Sequence, residues 1–132
     1  MNFLLDNNLP PNLAAALDVL SADTHTVVAL KDKFPANIAD IDFMATLESE
    51  GHWAIITHDR GILRRVHERK AWQESGLIVF WLAPGWATLQ FWVKAWKLVQ
   101  RWPDITRRAS RVSPPAGYRV QTRSTSLDRV SF

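Results

Sequence analysis

Apolar residues along the chain fall into short unbroken runs that alternate with sets at helical spacing. Asn2 to Leu5 is a short apolar run closed by Asp6, the pattern of a buried strand. Pro10 or Pro11 then opens a helix, with Asn7 or Asn8 available as its cap and Leu13, Ala16, Leu17 and Leu20 as its apolar positions. Thr24 to Leu30 is rich in β-branched residues and predicts a second strand, followed by a loop through KDKFPAN. Ala39 to Gly51 predicts a helix with Ile41, Met44, Ala45 and Leu47 on its apolar side, stopped at Gly51. WAIIT (Trp53 to Thr57) predicts a third buried strand, Ile62 to Glu74 a basic helix, and Leu77 to Leu82 a fourth strand. Strands and helices alternating in this way imply right-handed βαβ units, and so a doubly wound α/β fold with a mostly parallel sheet.

Beyond the turn APGW the rhythm changes. Ala87 to Arg101 predicts a helix with two apolar stripes, one of Leu89, Val93, Trp96 and Val99, the other of Phe91, Ala95, Leu98 and Trp102. Such a helix lies between layers of its own core or offers a face to a partner. From Pro103 the chain is polar and rich in arginine. The reading divides it into a domain over 1–102 and a basic C-terminal extension over 103–132, an edge strand or a flexible tail. Tyr118 to Arg123 alternates so that Arg119, Gln121 and Arg123 share a face, as an edge strand requires.

Composition narrows the chemistry. A chain of 132 residues, 47% hydrophobic and 22% charged, suits one globular core. Without cysteine, disulfides, thiolate metal sites and cysteine nucleophiles are all excluded. The start MNFLLDNNLPP has no basic leader and its apolar run is broken by Asp6, so a cytoplasmic protein is expected. No apolar window is long enough to span a bilayer, since Lys94, Lys97 and Arg101 interrupt the tryptophan-rich stretch. The net charge of +3 hides an asymmetry. Nine of the acids precede Arg60, whereas fourteen of the lysines and arginines lie from Arg60 onward. An acidic half folded on a basic half suits either charge balance within the molecule or an enzyme that gathers metal-binding acids and grips a polyanion.

The acids themselves sit at strand ends. In an open parallel sheet ligands bind where loops leave the carboxyl ends of the strands. Asp6 ends the first strand, Asp59 follows the third, and Asp40 opens the helix leading into that third strand. Converging carboxylates repel one another when empty, and a hard divalent cation, Mg²⁺ or Mn²⁺, relieves this. Each acid also has an ordinary reading: Asp6 as a turn or capping residue, Asp59 paired with Arg60, and Asp40 in competition with Asp42 two positions on. His58 is read as structural, and His25, His52 and His67 have no metal-ligand spacing.

FLLDNNLPPNLAAAL, LKDKFPANIADIDFM and IITHDRGI, continued by ERKAWQESGLIVFWLAPGW, resemble in order and spacing the PIN-like domains of short prokaryotic toxins, the VapC-like branch. The resemblance runs over roughly the first two thirds of the chain. It implies a PIN-like, Rossmann-like fold: a mostly parallel sheet in a three-layer α/β/α arrangement. It also implies a metal-dependent endoribonuclease, the toxin of a type II toxin-antitoxin pair, with Asp6, Asp40 and Asp59 as catalytic metal ligands and Mg²⁺ or Mn²⁺ as cofactor. RNA would be the substrate and an antitoxin protein the partner. Many relatives carry a further acid two positions after the one matching Asp59, where this chain has Gly61. Asn7, Asn8 or Thr57 can supply a supporting oxygen, and Arg60, Arg64 and Arg65 can hold flanking phosphates.

Two other readings stand beside this one. A non-catalytic PIN-like binding or regulatory module would keep the fold and lose full metal binding. A phosphoacceptor domain of similar sheet needs a lysine near a late strand end, and LIVFWLAPG has none. Of the seven tryptophans, Trp81, Trp92 and Trp96 are expected in the core, which leaves Trp86 or Trp53 for recognition. The large apolar helix predicts a homodimer or a partner interface.

Overall fold

A computed structural model describes residues 1–58 and 65–131. The first strand, β1 (Asn2–Leu5), leads to helix α1 (Pro11–Leu20), strand β2 (Thr26–Ala29) and a short helix α2 (Leu30–Lys33). Helix α3 (Asp40–Glu50), strand β3 (Trp53–Thr57), helix α4 (Val66–Glu74) and strand β4 (Ile78–Leu82) follow. A 3-10 turn (Pro84–Thr88) then precedes the long helix α5 (Phe91–Arg111) and strands β5 (Ala116–Val120) and β6 (Leu127–Arg129).

Among the described residues these strands form one six-stranded sheet in the order β2-β1-β3-β4-β5-β6. All neighbours are parallel except β5 and β6, which are antiparallel. β3 and β4 are buried throughout, which is why WAIIT and IVFWL read as continuous apolar runs rather than alternating ones. The sheet lies between two helical layers. Leu13, Ala14 and Leu17 of α1 pack with Leu98, Trp102, Ile105 and Ala109 of α5 on one face. On the other, Phe43, Met44 and Leu47 of α3 pack with Trp72 of α4 against Leu4, Ile55, Val79 and Trp81. The three-layer α/β/α expectation therefore holds.

Several boundaries differ from expectation for identifiable reasons. Leu30 leaves β2 and opens α2, its side chain buried in the layer of α3 and α4. No side chain caps α1; Pro10 precedes its first turn and the asparagines are used elsewhere. The expected stop at Gly51 is present, with φ 80° and ψ 155°, a conformation reserved for glycine. The predicted helix from Ile62 begins outside the described residues and is seen from Val66.

The largest correction concerns the last third of the chain. Proline at position 103 removes an N–H that an unbroken helix would use, yet α5 continues to Arg111. What carries it through is burial, since Leu98, Trp102, Ile105 and Ala109 at helical spacing all enter the core. Trp102 is further held by an indole N–H donated to Ser21 Oγ at 2.8 Å. The strand expected at the edge over 118–123 is β5, over 116–120, and it is interior; the edge belongs to β6. Residues beyond 102 thus complete the same sheet and core.

The tryptophans are also redistributed. Trp86 is fully buried and donates to the Val120 carbonyl at 3.1 Å, and Trp53 is buried with its indole N–H on Glu50 Oε1 at 2.9 Å. Neither is available for recognition. Trp92 and Trp96, expected inside, are 79% and 54% exposed. The two apolar stripes of α5 cannot both face the sheet, and the one containing Leu98 and Trp102 does.

Candidate functional site

The sheet order creates a crevice. β2 lies on one side of β1 and β3 on the other, so the connections leaving β1 and β3 diverge at their carboxyl ends, the place where open α/β sheets bind ligands. Asp6 and Thr57 stand at that switch point. Leu5 pairs with Ile56, and the Asp6 N–H extends the ladder by donating to the Ile56 carbonyl at 3.0 Å. Alternation sends Phe3 and Leu5 into the α1 and α5 layer and Leu4 into the other, so Asp6 shares the side of Leu4. Thr57 likewise shares the parity of Trp53 and Ile55. Both side chains are thereby aimed toward the layer of α3 and α4.

Asp6 is only 8% exposed. One carboxylate oxygen, Oδ2, accepts from the fully buried Thr57 hydroxyl at 2.7 Å, and Oδ1 accepts from the Asn7 backbone N–H at 2.7 Å. Both donors are neutral, and among the described residues no cation pairs with this carboxylate. A buried anion without a cationic partner is costly. Each oxygen retains a further lone pair, so the group can bind a cation without giving up either hydrogen bond.

The loops around Asp6 are tied down. Asn7 Nδ2 donates to the Ala36 carbonyl at 3.1 Å, and Asn8 Oδ1 accepts from the His58 N–H at 3.3 Å. These asparagines, expected as supporting oxygens, fasten the segments that follow β2 and β3 to the segment that follows β1.

Asp40 begins α3 and is partly buried, whereas Asp42 is exposed. The Asp40 carboxylate accepts from Arg65 Nη2 at 3.1 Å, and Arg65 also pairs with Glu68. Arg65, expected on substrate phosphate, is thus engaged with two acids and links α3 to the start of α4. Asp59, Arg60 and Arg64, together with Gly61, lie outside the described residues. Among the described residues no three histidine or acidic side chains gather as a metal-holding group. The oxygen-donor chemistry of Asp6 and Thr57 nonetheless fits a hard divalent cation and does not fit a soft one.

His58, next to Thr57, has its Nε2 enclosed without a hydrogen-bond partner among the described residues. Burial, assisted by the positive charge of Lys94, lowers its pKa from 6.5 to about 4. The imidazole is therefore neutral at neutral pH. In the unfolded chain it takes up a proton near pH 6.5, in the folded chain only near pH 4, so acid favours unfolding. A partly exposed group discounts the effect, and we expect a loss of about 1–2 kcal/mol as pH falls from 6.5 to 4. Urea denaturation of wild type and His58→Gln across that range checks this. The variant should lose less stability in acid, and parallel curves would exclude His58 as the source.

On the same carboxyl rim, two strands further along, a cleft of about 760 Å³ opens beyond the ends of β4 and β5. Its one available signal was Lys97 and Arg101, four residues apart on a helix and with no acid between them.

Comparison with known proteins adds one result. The family described as PIN like domain matches residues 1–84. No curated protein and no solved structure matches the chain.

Proposed function

The chain belongs to the PIN-like domain family, whose members are commonly nucleases, and from that premise we propose that it is a metal-dependent endoribonuclease that hydrolyses RNA phosphodiester bonds. The observation that carries the proposal is Asp6: a nearly buried carboxylate at the switch point of the sheet, held by two neutral donors and paired with no cation among the described residues. PIN nucleases generally use divalent metals, and Mg²⁺ or Mn²⁺ is the cofactor proposed for this site.

Asp6 is the principal ligand in this reading, with Asp40 and Asp59 as its companions. A bound divalent ion supplies Lewis-acid stabilisation of phosphoryl oxygen and lowers the pKa of attacking water. The protein's share of the work is positioning. The Thr57 hydroxyl and the Asn7 N–H fix the plane of the Asp6 carboxylate, and Asn8 fixes the turn at His58. Arg65, which pairs with Asp40 in this structure, is proposed to hold a substrate phosphate. Arg60 and Arg64 are proposed to hold neighbouring phosphates. His58, its pKa lowered to about 4 by burial, is neutral and is given no proton-transfer role.

The toxin role in a type II toxin-antitoxin pair, in the cytoplasm, is the finer part of the proposal. An antitoxin protein is the partner it entails, and the exposed strip of Phe91, Trp92, Trp96 and Val99 on α5 is apolar surface of the kind such a partner or a second copy covers. Among the described residues no helix is long and apolar enough to cross a membrane.

One observation favours a second reading. The Arg65 guanidinium already neutralises Asp40, as in a module that keeps the fold and has lost full metal binding. Cleavage of single-stranded RNA by purified protein decides between the two. Chelation should abolish it and Mn²⁺ or Mg²⁺ should restore it; RNA left intact at saturating Mn²⁺ would favour the inert module.

A further inference from the structure

We propose that the cleft beyond the ends of β4 and β5 is a phosphate-binding site, in which Lys97 grips the backbone of the nucleic acid at a distance from the cutting centre. The cleft is lined by Gly85, Leu89, Lys97, Thr122 and Arg123 among others. Two cations converge there. Lys97 Nζ donates to the Thr122 carbonyl at 2.8 Å and Arg101 Nη2 donates to the same oxygen at 3.2 Å.

This arrangement is unbalanced. Arg101 is only 3% exposed, its Nη1 meets just the Gln100 amide oxygen at 2.7 Å, and its buried Nε has no hydrogen-bond partner among the described residues. Neither Lys97 nor Arg101 forms an ion pair among the described residues. Two positive charges sharing one neutral carbonyl repel each other, and a buried guanidinium normally has a carboxylate. Asp128, the acid that lines the cleft, keeps its charge but pairs with neither cation among the described residues; its Oδ2 accepts from the Gln121 amide. An anion seated beside Lys97 supplies the missing charge.

The chemistry favours phosphate. An ammonium with three donors has two left after the Thr122 carbonyl, and Ser124, Ser126 and Thr88 bring hydroxyls to the same cleft. Position favours a polymer. β1, β3, β4 and β5 are consecutive in the sheet and parallel, so their carboxyl ends share one rim. Three strand spacings separate β1 from β5, on the order of 14 Å, within the span of a short single strand laid along that rim. The cleft is built largely from residues beyond 84, outside the part of the chain that matches the PIN-like family. Its polymer occupant rests on the nuclease reading; its affinity for phosphate does not.

The test is binding of a labelled single-stranded RNA to the full chain without metal, by fluorescence anisotropy over a range of salt. Wild type, Lys97→Met, Lys97→Arg and Asp6→Asn are compared, with phosphate binding followed in parallel by ³¹P NMR. Lys97→Met should weaken RNA binding about 5- to 10-fold and reduce the salt slope by about 0.7, as loss of one phosphate contact requires. Lys97→Arg should restore most of it, and Asp6→Asn, which only removes a negative charge from the rim, should bind no more weakly than wild type. Unchanged affinity and slope in a folded Lys97→Met, alongside metal-dependent cleavage by wild type, would overturn the cleft proposal alone. Lys97-dependent binding of inorganic phosphate but not of RNA would overturn the polymer occupant. Lys97-dependent phosphate binding with no cleavage by any protein would support the site and overturn the nuclease reading.

Discussion

Asp6→Asn should reduce metal-dependent RNA cleavage by at least about 100-fold while leaving the fold intact. The two halves of that expectation have separate causes. Asparagine keeps the shape of the side chain and an acceptor oxygen for the Asn7 N–H, and its amide can donate to the Thr57 hydroxyl in place of accepting from it. Packing and hydrogen bonding therefore survive. What disappears is the negative charge, and with it the affinity for a divalent ion. Removing a buried and unpaired charge also lifts a desolvation cost, so the thermal midpoint should stay level or rise. A variant that cleaves as fast as wild type would remove Asp6 from the site; one that unfolds would make it structural.

The second large effect is on stability. Gly117→Ala should destabilise the protein by about 3 kcal/mol, the upper part of the range for overpacking a core. Gly117 lies in β5 opposite Val79 of β4, and a Cβ there would stand 2.4 Å from the Trp81 ring and 2.5 Å from the Trp72 ring. Those rings cannot easily withdraw. Both are fully buried and they meet edge to face, with centroids 4.8 Å apart. Gly76 supplies the control, because a Cβ at that exposed position meets nothing within 4 Å. Gly76→Ala should be neutral or slightly stabilising through the unfolded chain. Equal midpoints for the two variants in urea would contradict this account of the β4 and β5 packing.

The same glycine illustrates what could be read from the sequence and what could not. Runs such as WAIIT and LIVFWL announce strands buried on both faces, and their alternation with helical spacing is enough to give a parallel α/β sheet. Strand order depends on pairings between distant segments, and a period of two carries no such information. Ala116 to Val120 is short, begins AGY and lies in an arginine-rich stretch, so its local pattern does not show its place beside β4, where Gly117 makes room for two indoles.

The helix before it departs from its local pattern for a related reason. A proline at 103 argues locally for an ending, whereas burial of Ile105 and Ala109 is a tertiary gain that local propensity does not contain. Trp92 and Trp96 sit at helical core spacing, yet two sides of the helix compete for one core and spacing alone does not decide which wins. For the site, strand-end position is what makes Asp6 a candidate, and Thr57 enters only as a supporting oxygen beside it. Such a position gives no warning that Arg65 bridges Asp40 to Glu68, since that contact is set by how α3 and α4 pack.

If Asp6 is a metal ligand, the most direct observation is binding of the ion itself. Free Mn²⁺ can be counted by electron paramagnetic resonance during titration of the full chain, without RNA and without turnover. The account predicts that wild type binds Mn²⁺ and that Asp6→Asn binds it at least about 10- to 100-fold more weakly, with His58→Gln close to wild type. Equal affinity in wild type and Asp6→Asn, or no binding by wild type at millimolar Mn²⁺, would contradict it.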